Sequence, residues 1–399
     1  MPQRTSTMRR TFPTLLLAAA ASGPGTARAE CARVEDVRVA PDILTPVEVQ
    51  VGIGPGPTEQ QVPADIARHL EQAFDHMVEQ SGAVSAGAAV IVPDVGRWSV
   101  THNADSHELF SIGSIGKAAT AALILDDVQR GRVSLADPVS RWFPFLPGAD
   151  DNTIDQLLTH HSGYLSFNAF AALDGRLPPE RPQRLVRFAA RRSGEACPQH
   201  GFAYSNTNYV MLGLILEEEH DHLINEVFTE RVLTPLGLYR SRAMHRAMPP
   251  PELLDGHDPG GRRVTSMDYG APHGAGNLAM TPRELATFWH ALLSGQVVDP
   301  AQVELMLDGW TRMPGPADAP ELYYGRGTML IEHPTGDGWL VGHMGGIRGF
   351  SAMVAWSTSL DAVVAVTLTG SNDSTAAFWA MHQALDTALT QHLSPPETP

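Results

Sequence analysis

The stretch Phe110-Ser-Ile-Gly-Ser-Ile-Gly-Lys117 contains Lys117, the only lysine in the 399-residue chain. Every other strong cation is an arginine. A guanidinium stays protonated in a protein, whereas a buried lysine amine can lose its proton and act as a base. Lys117 lies three residues after Ser114, so the stretch predicts a Ser-x-x-Lys pair of nucleophile and base. The alternative is an ordinary lysine on a helix surface, and the pair alone does not separate the two.

Helix geometry explains the spacing of this pair. Residues three apart lie on one face of a helix, so the Lys117 amine can reach the Ser114 hydroxyl. We expect a helix to begin at Ser114, where free backbone N–H groups favour an anionic oxygen. Gly113 and Gly116 leave room for a substrate to approach. The lysine must be substantially neutral to accept a proton, which burial would achieve by lowering its pKa.

A second stretch with chemical potential is Phe202-Ala-Tyr-Ser-Asn-Thr-Asn-Tyr209. Tyr204 can relay a proton between a serine and a leaving group, and the amide of Asn206 can hold a substrate carbonyl. The alternative is a turn in which an asparagine caps the helix that follows. Tyr-x-Asn alone does not choose between the two interpretations.

The third stretch is Gly342-His-Met-Gly-Gly-Ile-Arg-Gly-Phe350, in a region with a β pattern. Its small residues would let a substrate lie along a strand edge. A backbone N–H there could pair with that of Ser114 as an oxyanion hole. The alternative is a tight hairpin that needs glycine at positive φ, and both interpretations can hold at once.

Taken together, Ser114-Ile-Gly-Lys117, Tyr204-Ser-Asn206 and His343-Met-Gly345 resemble the three motifs of the penicillin-recognising serine hydrolases. The resemblance is to the branch that holds class C β-lactamases, D-alanyl-D-alanine carboxypeptidases, esterases and D-aminopeptidases. It covers about residues 64 to 392. Four further stretches support it: Gly131-Arg-Val-Ser-Leu-Ala-Asp-Pro138, Leu157-Leu-Thr-His-His-Ser-Gly163, Thr234-Pro-Leu-Gly-Leu238 and Gly274-Ala-Gly-Asn-Leu278.

The resemblance implies a role for each residue of the first two motifs. Ser114 resembles the acylated nucleophile, and Lys117 resembles its base partner. Tyr204 resembles the proton relay to the leaving group and to the deacylating water. Asn206 resembles the ligand of the substrate amide.

The third motif departs from the family pattern. His343 stands where many members place a lysine, Gly345 matches the motif glycine, and Gly346 would give the second oxyanion N–H. Met344 and Gly346 offer no side-chain donor, and His343 is a cation only when protonated. The groups that commonly hold a substrate carboxylate are therefore missing from this motif.

Two arginines are candidates to replace the missing charge. Arg326 or Arg348 could bind a carboxylate through two parallel hydrogen bonds, although the favoured interpretation of each is a solvated surface residue. Without such a replacement, the departure counts against an efficient β-lactamase and weakens the carboxypeptidase interpretation. It leaves room for an esterase or a hydrolase of uncharged amides.

The implied fold is α/β (α+β) and β-lactamase/transpeptidase-like. It has a mixed-topology antiparallel sheet flanked by helices, an inserted all-helical lobe, and the site between sheet and lobe. The hydropathy pattern agrees, because strand-like segments lie at both ends of the chain and helices lie between them. We place the hydrolase domain at residues 63–395. Its sheet region covers about 63–110 and 290–395, and its helical lobe covers about 111–289.

Local patterns predict individual elements. A helix opens at Pro63 and stops at Ser81-Gly82, and another follows Ser114 and closes at Gly131. The remaining predictions are strands over 87–92, 98–102, 324–331, 339–343, 350–356 and 362–369, and a final helix over about 376–392.

The N-terminus predicts export. Residues 1–29 combine Arg9 and Arg10, a short apolar run and an Ala27-Arg-Ala29 cleavage site, and residues 30–62 form a lead segment. Arg9-Arg-Thr-Phe12 also resembles a twin-arginine signal, so the export route stays open. We expect a periplasmic or extracellular protein without a stable membrane anchor. Its two cysteines, Cys31 and Cys197, could pair there or remain free thiols.

Charge limits the classes of partner. The formal net charge is −16, and removing residues 1–29, with four arginines and no acid, leaves −20. Such a surface repels nucleic acid, and we expect no basic stripe on it. No metal-ligand or dinucleotide motif is evident, so no cofactor and no metal are predicted.

The expected partner is a small-molecule or peptide substrate. The leading hypothesis is a secreted serine hydrolase, D-alanyl-D-alanine carboxypeptidase-like or a D-amino-acid peptidase, working through a Ser114 acyl-enzyme. The alternatives are a carboxylesterase or β-lactamase of the same family, and a non-catalytic sensor.

Overall fold

The computed structural model describes residues 60–168, 181–193, 201–245, 249–264, 270–314, 321–335 and 338–393. Its main sheet has eight antiparallel strands in the order β2-β1-β11-β10-β9-β8-β7-β6. The strands are β1 Ser85–Val92, β2 Gly96–His102, β6 Thr311–Arg312, β7 Leu322–Tyr324, β8 Met329–Glu332, β9 Trp339–Ile347, β10 Phe350–Ser357 and β11 Ala362–Thr369. Because β1 pairs with β11, both ends of the described chain meet inside one sheet, as the sequence predicted.

Helices cover both faces of this sheet. Ala64–Ser81 and Ser374–Leu393 pack against each other, the latter on β10 and β11, while Pro282–Leu293 packs against β1, β10 and β11. Alternate side chains of the central strands enter two different cores: Val363 belongs to one and Val364 to the other. Burial on both faces explains why β10 and β11 are mainly apolar, since every residue of both strands is buried.

The predicted N-terminal helix is confirmed. Its buried residues Ile66, Leu70, Phe74 and Met77 recur at spacings of three and four, which places them on one face. Gly82 ends the helix at φ 61°, a conformation that glycine adopts without strain.

The middle of the chain is mainly helical and shares its core with one face of the sheet. A small sheet lies within it, in the order β3-β5-β4, from Phe110–Ser111, Leu278–Met280 and Arg242–Ala243. The helices described here and just after it are Gly116–Gln129, Ile154–Leu158, Pro182–Arg192, Asn206–His220, Ile224–Phe228 and Pro300–Met306. The lobe is thus helical with a short three-stranded sheet, and the helix Pro282–Leu293 lies on the main sheet.

Two strand predictions needed correction. The segment 324–331 is not one strand: β7 and β8 form a hairpin, in which the Gly325 N–H donates to the Thr328 carbonyl at 3.0 Å. Gly327 has a φ of +82°, which a continuous strand cannot accommodate. Strand β9 also runs four residues beyond the predicted end at His343, through both glycines of the third motif.

The predictions for the signal segment 1–29 and for Cys31 and Cys197 lie outside the described residues, as does nearly all of the lead segment 30–62.

Candidate active site

Ser114 lies where the small sheet meets the first helix of the lobe. Strand β3 leads into a 3₁₀ turn, Gly113–Ile115, and the helix Gly116–Gln129 follows directly. Ser114 is partly exposed, whereas Lys117 is 0% exposed. Lys117 Nζ lies 2.9 Å from Ser114 Oγ, so the predicted pair is in contact. A solvent-accessible hydroxyl beside a buried amine is the arrangement that general-base activation requires.

The surroundings of Lys117 favour its neutral form. Its Nζ lies 5.1 Å from the ring centre of Tyr204 and 5.6 Å from that of Tyr209. No carboxylate pairs with it among the described residues, and burial holds the pKa of Lys117 well below its ordinary value. The interpretation of Lys117 as a surface lysine is therefore wrong.

The short 3₁₀ turn His273–Ala275 orients the Lys117 amine. Lys117 donates to the carbonyl of Ala275 at 2.8 Å. The preceding carbonyl, of Gly274, accepts a hydrogen bond from the Thr120 hydroxyl. Two hydrogen bonds therefore hold this turn against the helix Gly116–Gln129. With one N–H committed to Ala275, a neutral amine can direct its lone pair at Ser114.

Tyr204 completes the group around the serine. Its hydroxyl is buried and makes no hydrogen bond of standard geometry, but Ser114 is close enough to affect its ionisation. Burial raises the pKa of Tyr204, and the neighbouring Ser114 hydroxyl opposes that shift. The phenol is thus protonated and without a fixed partner, as a group that passes a proton to a leaving group would be.

Asn206 begins the helix Asn206–His220 and is half-buried. Its Nδ2 donates to Asn168 Oδ1 at 3.1 Å, and its backbone N–H donates to Ser166 Oγ at 3.2 Å. These bonds fix the amide group and leave its oxygen without a described partner. Sequence reasoning missed Asn168 and Ser166, which lie 38 and 40 residues earlier with no motif of their own.

His343 does not provide the cation that its position suggested. It is 0% exposed, and burial lowers its pKa to about 3, so the ring is neutral at ordinary pH. Its Nδ1 lies 2.6 Å from the Met344 carbonyl and therefore carries the proton, since a carbonyl only accepts. Its Nε2 lies 3.3 Å from the Tyr324 hydroxyl. Both nitrogens are engaged inside the protein.

The glycines of the third motif lie against residues 112–115, the segment that carries Ser114, which we call the serine turn. A Cβ on Gly345 would come within 1.9 Å of the Ile112 carbonyl oxygen. Gly113 has a φ of +50°, and a Cβ there would lie 2.9 Å from the backbone nitrogen of Gly346. Backbone thus packs directly on backbone, which brings the strand that carries Gly346 beside Ser114. A pair of N–H groups for an oxyanion is compatible with this arrangement.

His160 is a buried neighbour to which sequence reasoning gave no role of its own. It is 0% exposed, and its ring centre lies 4.3 Å from that of Tyr204 and 4.6 Å from that of Tyr324. Its Nδ1 accepts the backbone N–H of Ser205 at 3.1 Å. His160 therefore fixes the segment that carries Tyr204. The stretch Leu157–Gly163 was the available signal.

Arg326 is not available to bind a substrate carboxylate. Its guanidinium pairs with Asp155 at 2.7 Å and donates to the Leu305 carbonyl at 2.8 Å. Arg348 is exposed in the turn between β9 and β10. Of the two arginines that could replace the missing positive charge of the third motif, Arg326 is thus already paired within the protein.

A family profile described as Beta-lactamase matches residues 70–387, which include every residue of the site above. The chain belongs to the beta-lactamase family. Its fold, an antiparallel sheet flanked by helices, matches solved structures of this group. A D-stereospecific amidohydrolase from Streptomyces sp. is 26% identical, with a TM-score of 0.68 over 79% of this chain and 98% of that one. The D-amino acid amidase of Ochrobactrum anthropi SV3 is 25% identical, with a TM-score of 0.69 over 81% and 99%.

Curated relatives in the beta-lactamase family match this chain over only part of their length. Penicillin-binding protein 4* of Bacillus subtilis (strain 168) is 27% identical over 62% of this chain and 58% of its own length. Teichoic acid D-alanine hydrolase of Staphylococcus aureus (strain MRSA252) is 24% identical over 44% of each. The chain thus spans about half the length of the curated relatives it matches. No helix among the described residues is long and apolar enough to cross a bilayer.

Buried histidines predict that the protein loses stability in acid. Burial lowers the pKa of His290 from 6.5 to about 4, and its Nε2 has no hydrogen-bond partner in the described part of the chain. Between pH 6.5 and 4 the unfolded chain therefore binds a proton that the folded chain does not, so stability falls as pH falls. His290→Leu, on the helix Pro282–Leu293, should recover up to about 3 kcal/mol at pH 4 relative to pH 7. Urea unfolding at both pH values checks this, and an unchanged pH dependence would contradict it.

Proposed function

We propose that this protein is a serine hydrolase that forms an acyl-enzyme on Ser114. The observation that carries the proposal is the 2.9 Å contact between Ser114 Oγ and the amine of a fully buried Lys117. Lys117 takes the serine proton as the hydroxyl attacks the substrate carbonyl. Tyr204 then delivers a proton to the leaving group, so the lysine and the phenol share one proton pool.

Binding and charge stabilisation fall to groups around this pair. The side-chain amide oxygen of Asn206, which has no partner among the described residues, accepts an N–H from the acyl side of the substrate. The backbone N–H groups of Ser114 and Gly346 stabilise the oxyanion of the tetrahedral intermediate. Water then attacks the acyl-enzyme, and Ser114 recovers its proton.

The substrate class follows from the neutral third motif. His343 is buried and uncharged, and Arg326 is paired with Asp155. Neither His343 nor Arg326 therefore offers a charge to a free carboxylate on the leaving group, which disfavours a strict D-alanyl-D-alanine carboxypeptidase and an efficient β-lactamase. We infer that the substrates are D-amino-acid amides or peptides with an uncharged leaving side. The names of the two similar solved enzymes, an amidase and an amidohydrolase of D-amino acids, support this class.

A matched pair of peptides tests the substrate class. N-acetyl-D-alanyl-D-alanine and its C-terminal amide differ only in the terminal carboxylate. We expect the wild-type protein to hydrolyse the amide with a kcat/KM at least equal to that of the acid. The L-alanyl counterpart should react at least about tenfold more slowly, and Ser114→Ala should abolish turnover of all three. Product release followed by mass spectrometry gives each rate.

The other outcomes identify the alternatives. A more than tenfold preference for the free acid would indicate carboxylate recognition and restore the carboxypeptidase hypothesis. Cleavage of small esters with neither peptide consumed would indicate a carboxylesterase. A benzylpenicillin adduct on the intact mass that persists on wild type and is missing from Ser114→Ala, without peptide turnover, would indicate a sensor. Rapid penicillin consumption without an adduct would indicate a β-lactamase.

Export is part of the proposal. Residues 1–29 have the features of a secretion signal, and relatives include penicillin-binding proteins. N-terminal sequencing of the protein from the envelope or medium should begin at Glu30. Recovery of the full-length chain in the cytoplasm alone would contradict export.

A further inference from the structure

The helix Pro182–Arg192 carries an unusual concentration of positive charge for this chain. Arg181, Arg184, Arg187 and Arg191 are all exposed on it, in a protein whose formal net charge is −16. Positions separated by three, three and four residues lie on one side of a helix. The opposite side is apolar and buried, through Leu185, Val186, Ala189 and Ala190. The expectation of a surface without a basic stripe is therefore wrong at this helix; we call the four side chains the arginine face.

These arginines differ from most others in the described structure. Elsewhere, nine arginines each pair with a carboxylate: Arg130, Arg132, Arg141, Arg231, Arg242, Arg262, Arg263, Arg312 and Arg326. Across the described ranges, no member of the arginine face pairs with an acid. Arg187 instead packs its guanidinium 4.2 Å from the ring of Phe145, which is itself 49% exposed. Four exposed guanidinium groups therefore lie over roughly 15 Å of chain without an acidic partner among the described residues.

The arginine face ends beside the candidate active site. Ser193, the residue that ends the helix, accepts the backbone N–H of Leu165 through its hydroxyl at 2.9 Å. The segment that Leu165 begins also supplies Ser166 and Asn168, which hold Asn206. A partner bound along the helix would therefore reach the segment that holds Asn206 of the candidate active site.

We propose that the arginine face is a docking site for a phosphate-bearing polymer chain that passes beside the candidate active site. A planar guanidinium binds phosphate through two parallel hydrogen bonds and keeps its charge at all working pH values. The negative net charge of the protein favours a flexible polymer over a flat membrane surface as the partner of this helix. A flexible polymer can follow one basic helix, whereas a broad anionic membrane would also face other parts of a chain whose formal net charge is −16.

A charge-reversal experiment with a matched control tests this site. The protein is the full chain with Ser114→Ala, so that binding is measured without acyl transfer and independently of the proposed hydrolase activity. The probe is labelled long-chain inorganic polyphosphate, followed by fluorescence anisotropy over a series of NaCl concentrations. One variant adds Arg184→Glu, Arg187→Glu and Arg191→Glu. The control adds Arg68→Glu, Arg262→Glu and Arg263→Glu, an equal charge change at exposed positions elsewhere.

We expect the helix variant to bind at least about tenfold more weakly at low salt, with a shallower dependence on salt because fewer counterions are released. The control should stay within about threefold of the parent. If the helix variant does not fold, the same three positions changed to glutamine should give the same loss. Equal weakening in both variants, or no binding by the parent, would overturn the proposal. So would binding to phosphatidylglycerol vesicles through this face with no affinity for polyphosphate, which would assign the face to a membrane surface.

Discussion

Lys117→Met should give a folded protein that no longer acylates. Methionine fills a similar volume in an apolar pocket, and Lys117 is 0% exposed. The carbonyl of Ala275 loses its donor, but the cost of burying an amine also disappears, so stability should change by no more than about 2 kcal/mol. Acylation of Ser114 should fall by about 10³-fold or more, because nothing else described in contact with its hydroxyl can accept a proton at neutral pH.

Lys117→Arg separates charge from basicity. It introduces a permanent positive charge, supplies no neutral amine, and places an unpaired cation among the rings of Tyr204 and Tyr209. We expect it to lose acylation as completely as Lys117→Met and to be less stable. Single-turnover acylation, followed by intact mass, and thermal unfolding measure both effects. Acylation within tenfold of wild type in either variant would remove Lys117 from the role of base.

Gly345→Ala should damage both folding and activity. The new Cβ would lie 1.9 Å from the Ile112 carbonyl oxygen, a backbone atom in the segment that leads to Ser114. Neither β9 nor the serine turn can relieve this contact by rotating a side chain, so one of them must shift by about 1 Å. Such a shift in a packed interior costs about 3 kcal/mol or more, and misplacing a nucleophile by that distance costs about 10²-fold in rate.

Gly346→Ala is the matched control for this substitution. It is the next residue on the same strand, and a Cβ there would meet no atom within 4 Å. Its stability should stay within about 1 kcal/mol of wild type. Urea unfolding compares the stability of the two variants directly, whereas kcat/KM is compared between Gly345→Ala and wild type, because Gly346 is itself a proposed oxyanion donor. Equal effects would mean that the contact between Gly345 and Ile112 does not hold the serine turn in place.

The sequence predicted much of the main sheet because its strands are short apolar runs bounded by turn residues. Ser85–Val92 and Ala362–Thr369 were recognisable in this way. The β7–β8 hairpin was missed because Gly325 and Gly327 sit inside a run with an otherwise continuous β pattern. The small sheet was missed because strands of two or three residues leave no periodicity to detect.

The candidate site was predicted where spacing along one element decides contact. Ser114 and Lys117 are three residues apart on a helical segment, so their proximity follows from geometry. The state of His343 could not be deduced in that way. Its neutrality comes from burial against Tyr324 and from the Met344 carbonyl, which depend on how β9 packs. Asn168 escaped for the same reason, since its contact with Asn206 joins two distant segments.

One consequence follows from the position of Lys117. The chain has no other side-chain amine, and this one is sealed behind Ser114 and the turn that ends at Gly276. Amine-directed reagents therefore have a single side-chain target, and they reach it only when Ser114 and this turn move away from Lys117. The rate at which Lys117 itself is modified therefore reports how often the candidate active site opens to solvent.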